Sequence, residues 1–163
     1  MIKKIAELFA GREFVSIATC SLDNTPNAVP KFVLKTEGNI IYLVDYVRGQ
    51  TLTNLKVNSK VSIPVMDNKL LVAYRVNGAA EIVESGAEYK KLMEELRSKV
   101  IASSVARVIE GVRSQTTHEN FQATFPDKVC ILKVTAGEVV EIDPAGKLHT
   151  ERLKGKNVGK AAD

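Results

Sequence analysis

The sequence predicts a mainly β (α+β) chain, a small antiparallel β-barrel with flanking helices. Apolar, β-branched runs recur at 14–20, 28–35, 40–46, 61–65 and 70–83, separated by turns rich in Gly, Pro and Asn. Helical periodicity is confined to the first ten residues, one short segment and one long one. The chain has 163 residues, 45% hydrophobic and 26% charged, which suits one globular domain with a sizeable core.

Each element has its own signal. Ile2, Ile5, Ala6 and Phe9 share one helical face, and Gly11 ends that helix. Residues 14–20 are apolar on both faces, as in a strand buried on both sides. Residues 21–27 form a dense turn. The second strand, 28–35, contains Pro30, which cannot donate to a ladder and marks a bulge or an edge position. Glu37-Gly38-Asn39 is a tight hairpin connection into the third strand. Leu52 and Leu55 share one side of a two-turn helix over 51–57. Val61, Ile63 and Val65 alternate as a fourth strand, with Pro64 excluding a regular central ladder. Asn77-Gly78 puts a bulge or bend in the long fifth strand.

Ser85 and Glu88 have capping-box spacing. The apolar positions after them predict helix over 86–112. Unbroken, it would be about 40 Å long, more than a small domain is wide. A break is therefore expected around Ser103-Ser104. Residues 113–126 read as polar and irregular. Closing strands are expected at 129–134 and 138–142. The domain is thus placed at 1–146, with a helical addition at about 97–125. Residues 147–163 read as a basic, flexible tail or one laid along a partner.

Composition excludes several classes. The net charge of +4 is modest and there is no basic block before the tail, so nothing requires a nucleic-acid partner. Cys20 and Cys130 lie in apolar runs with no metal-ligand spacing, which reads as two buried thiols in a reducing, cytoplasmic protein. Glu7 interrupts the N-terminal apolar stretch, so it is not a signal peptide, and no apolar run approaches membrane-spanning length. His118 and His149 lie in polar surroundings that offer no ligand set, so no metal is expected.

The stretch 45–58 carries the most chemistry. A strand enters a Gly-containing polar turn and then a short helix. Arg48, Gln50, Thr51 and Asn54 offer side-chain donors beside free backbone N–H groups. Such a turn can hold a phosphate. Helix starts favour the same small polar residues, so an ordinary connection fits the same letters.

The order of these pieces resembles the flavin-binding split-barrel family related to pyridoxamine 5′-phosphate oxidase. The resemblance rests on the first helix with Phe14-Val15-Ser16-Ile17-Ala18-Thr19. It rests also on the turn Asp23-Asn24-Thr25-Pro26-Asn27-Ala28-Val29-Pro30. The third piece is Gly49-Gln50-Thr51-Leu52-Thr53-Asn54-Leu55 with Asn58, followed by Val61-Ser62-Ile63. It covers about 1–96 and, less specifically, the closing strands. It implies a split β-barrel, a homodimer, and FMN at the subunit interface. The ring system would lie against Val29, Pro30, Lys31 and Phe32, with Asp45 and Tyr46 nearby. The phosphate would meet Arg48, Gln50 and Thr51, with Asn54 as a further candidate. The family's phosphate lysine falls on Gln50, which brings no charge, so Arg48 would have to supply it. The resemblance implies an oxidoreductase acting on a small molecule, with no catalytic residue assigned, since the flavin carries the chemistry. A non-catalytic flavin carrier is the rival reading, and deazaflavin or haem are the rival ligands.

Overall fold

The computed structural model describes residues 1–114 and 129–153. In chain order the elements are α1 (Ile2–Ala10), β1 (Phe14–Cys20), β2 (Pro26–Glu37), β3 (Ile40–Asp45), α2 (Gln50–Leu55), β4 (Lys60–Asp67) and β5 (Val72–Val83). Then come α3 (Gly86–Ser114), β6 (Cys130–Ile142) and β7 (Leu148–Arg152). All strand pairings are antiparallel. The order is β3-β2-β1-β4-β5-β6-β7, and β3 also pairs with β6. Six strands therefore close into a barrel, with β7 appended to β6.

The barrel is split where β1 meets β4, because those strands share only the Ala18↔Ser62 pairing. The two prolines sit beside this seam. Pro30 pairs with Ser16, but β3 does not begin pairing with β2 until Phe32. Pro64 pairs with Arg75 on β5, outside the β1 pairing. Each proline thus lacks a second strand neighbour to receive its missing N–H.

The core has two parts. Inside the barrel, Ile17, Val33, Leu43, Ile63, Val76 and Leu132 pack together, and α1 closes the interior with Ile5 and Phe9. Outside it, Phe32, Leu34, Tyr42, Val44 and Ile131 pack under Leu92 and Leu96 of α3. Odd positions of β3 therefore face the interior and even positions face α3, the strand period of two.

The structure corrects several sequence expectations. β1 is buried on one face only, with Phe14 and Ser16 exposed. α3 has no break at Ser103-Ser104 and runs 29 residues. Residues 87–110 contain neither Gly nor Pro, so nothing local stops it. Its far half overhangs the barrel, leaving Ile101, Val105, Ile109 and Val112 exposed. The two expected closing strands are one, Cys130–Ile142. Residues 148–152, assigned to the tail, form β7 and pair with the second half of β6. The irregular stretch expected over 113–126 and His118 lie, from residue 115 on, outside the described residues, as do 154–163. Among the described residues no helix is long and apolar enough to cross a membrane.

Candidate functional site

The turn after β3 is built on Asp45. Its carboxylate is fully buried, and Oδ1 accepts from Lys31 Nζ (2.8 Å), Val47 N (3.1 Å) and Arg48 N (3.4 Å). Those bonds hold Arg48 at φ 51, in the left-handed region that non-glycine residues seldom adopt. Lys31 faces inward from β2 and is also buried, so the two charges form an ion pair inside the barrel end. Asp45 Oδ2 has no hydrogen-bond partner among the described residues.

Arg48 itself projects outward, and its side chain is about half exposed (47%). Its guanidinium pairs with Glu84, just past β5, and donates to Cys130 Sγ (3.4 Å). The Cys130 thiol donates to Glu84 Oε1 (2.8 Å). Burial, reinforced by the neighbouring Glu84, pushes the Cys130 thiol up to about 11, so it stays protonated at neutral pH. The hydrogen bond from that thiol, with Arg48 beside it, lowers the Glu84 carboxyl below its ordinary value.

A second network lies behind the turn. Gln50 Nε2 donates to Asn54 Oδ1 (2.8 Å), and Asn54 Nδ2 donates to Thr19 Oγ1 (3.1 Å). Asn27 Nδ2 donates to Thr19 Oγ1 and Thr51 Oγ1, both at 3.2 Å. Thr51 and Asn54 are buried, while Gln50 is exposed. In these bonds Thr51 acts as acceptor, which leaves its hydroxyl hydrogen to donate. α2 has six residues, too few turns for a strong helix dipole, so the donors matter more than the dipole.

Of the ten residues singled out by the sequence, the structure joins Lys31 to Asp45 and sets Gln50, Thr51 and Asn54 in the network with Thr19 and Asn27, while Arg48 faces Glu84 and Cys130 and Tyr46 is half-buried. Val29 is half-buried and Pro30 exposed, on the β2 segment leading to Lys31. Phe32 is closed to solvent, between the Phe14 ring (centroids 5.6 Å apart) and Lys99 Nζ (5.5 Å from its ring). Sequence reasoning missed Glu84, Cys130, Thr19 and Asn27. Thr19 and Asn27 are direct partners across the β1–β2 hairpin, so pairing that hairpin on paper would have found them. Nothing local marks Glu84 or Cys130, which lie 36 and 82 residues from Arg48.

The family model for pyridoxamine 5′-phosphate oxidase matches residues 1–141, and the chain belongs to that family. Solved structures share the fold. One is a Clostridium acetobutylicum protein related to general stress protein 26 of Bacillus subtilis, with TM-score 0.67 and 17% identity. That match covers 93% of this chain and 94% of that one. A pyridoxamine 5′-phosphate oxidase-related, FMN-binding protein from Nostoc punctiforme matches with TM-score 0.56 and 11% identity, over 94% of this chain and 95% of that one. A haem-binding protein from Mycobacterium smegmatis matches with TM-score 0.58 and 14% identity, over 89% of this chain and 55% of that one. A search of curated proteins gave no match.

Proposed function

We propose that this chain binds FMN as a homodimer, with the flavin at the subunit interface, and works in the cytoplasm as an oxidoreductase on a small molecule. The observation that carries the reading is Arg48: a half-exposed guanidinium on a turn that buried Asp45 fixes, in a member of this family. It supplies the charge that Gln50 lacks. Gln50 is exposed two residues on and its amide keeps a second N–H beyond the one given to Asn54, while Thr51 is buried behind the turn and bonded to Asn27. Val29 and Tyr46 are half-buried and Pro30 is exposed, so each leaves some surface for a ring system, and the exposed guanidinium of Arg48 fits a flavin phosphate. Bound FMN would supply hydride or single-electron transfer. The chain's own part is to hold and orient it.

A haem reading has support from the Mycobacterium smegmatis neighbour. The donors here favour it less. His149, the one histidine among the described residues, is about half exposed beside Asp143 (3.6 Å) on the appended β7 edge. The Cys130 thiol is buried and protonated. The absorbance spectrum of protein titrated with each ligand separates the two readings. FMN uptake is expected, with Arg48→Ala weakening FMN by about tenfold and riboflavin hardly at all, the scale of one charge-assisted contact. Equal losses for both flavins would remove Arg48 from the phosphate site, and no uptake at high micromolar FMN would remove the flavin reading. Reduction of bound flavin by a nicotinamide dinucleotide, followed by stopped flow, distinguishes an enzyme from a carrier.

A further inference from the structure

The geometry points to Glu84 as the residue that sets the discrimination between phosphorylated and unphosphorylated flavin: it holds Arg48 and must release it for a phosphate to bind. The inference rests on the FMN reading above and goes on to assign a residue outside the turn. Arg48 is the basic side chain of that turn, since Gln50 is neutral and Lys31 is spent on Asp45. With Glu84 in place its charge is already neutralised, and an arriving phosphate meets a paired cation and a neighbouring carboxylate.

The pair is built to exchange. Both side chains are about half exposed, 47% for Arg48 and 45% for Glu84, so water screens their attraction and the contact is weak. A phosphate monoester brings nearly two charges and three acceptor oxygens, more than one carboxylate offers. The backbone of Arg48 is pinned through Asp45, so release requires only the side chain to swing. Glu84 has a second partner, one that Arg48 also touches. Cys130, at the start of β6, donates its thiol hydrogen to the same oxygen that faces Arg48. When Arg48 leaves, Glu84 keeps that bond and stays behind as a ready acceptor for its return.

The test is Glu84→Gln, which keeps the oxygen acceptor and removes the charge, with Glu84→Ala as a second variant. Both are titrated with FMN and riboflavin at two salt concentrations, and the thermal midpoint without flavin confirms folding. The expected result is FMN binding about two- to fivefold tighter, from release of a surface pair, with riboflavin unchanged. The preference for FMN over riboflavin should rise in both variants and fall as salt is added. If wild type binds FMN and the preference is unchanged or reduced, the inference fails alone, and Glu84 would instead be orienting Arg48. If neither protein binds FMN, the inference and the FMN reading fail together.

Discussion

Asp45 serves three donors with one oxygen. It neutralises Lys31 and caps the two N–H groups that turn the chain toward α2. Both members of the ion pair are buried, so neither charge has water to fall back on. Removing one partner of such a pair is costly, because it strands the other. Asp45→Asn keeps an oxygen for the turn and leaves Lys31 as a lone buried cation. It is expected to lose about 3–5 kcal/mol in urea unfolding. Lys31→Met with Asp45→Asn removes both charges and should recover most of that loss. A single Asp45→Asn variant within about 0.5 kcal/mol of wild type would mean the pair is solvated. Lys31 was legible as a residue near the site but not as this one's partner. Phe32, Val33 and Leu34 are all apolar, so the sequence around Lys31 hides which way each β2 position points.

At the level of elements, turns and short helices were readable because their signals are local. Ser21 and Asp23 accept from Thr25 N in the β1–β2 turn, as Asx- and Ser-rich turns do. Ser85 and Glu88 located the start of α3, although the Glu88 carboxylate pairs with Lys133 on β6. The break expected at Ser103-Ser104 is absent from α3 because domain width does not limit a helix that can overhang. Its continuity through Ser103 is testable. Ser103→Pro would remove the bond from residue 103 to the Lys99 carbonyl and clash with the turn before it, at about 3 kcal/mol. Most apolar side chains of the far half are exposed and Arg107 pairs with Glu13, so that cost should appear as lost helical circular dichroism and lost amide protection beyond residue 103. A helix that already broke there would show neither change.

For the whole molecule, closure depends on long-range pairings that no local pattern announces. One edge of β6 is shared: residues 130–135 pair with β3 to close the barrel, and residues 138–142 pair with β7. The change of partner falls where the β5–β6 register slips. Asn77 faces Glu138, Gly78 faces Ala136, and Gly137 is the extra residue. Asn77-Gly78 was legible as a bend, but its purpose was not, because β3 and β7 lie far away in sequence. The bend brings two backbones together. A Cβ on Gly78 would lie 2.2 Å from the Thr135 carbonyl oxygen, so a strand would have to move. A Cβ on Gly137 would meet nothing closer than the Asn77 oxygen at 3.9 Å. Gly78→Ala is therefore expected to cost about 1–3 kcal/mol or more, as overpacking of a rigid site does. Gly137→Ala should stay within about 0.5 kcal/mol of wild type, as an unhindered substitution does. Paired denaturation curves measure both. Equal, small effects would show that the β5–β6 bulge is not where the barrel is drawn tight.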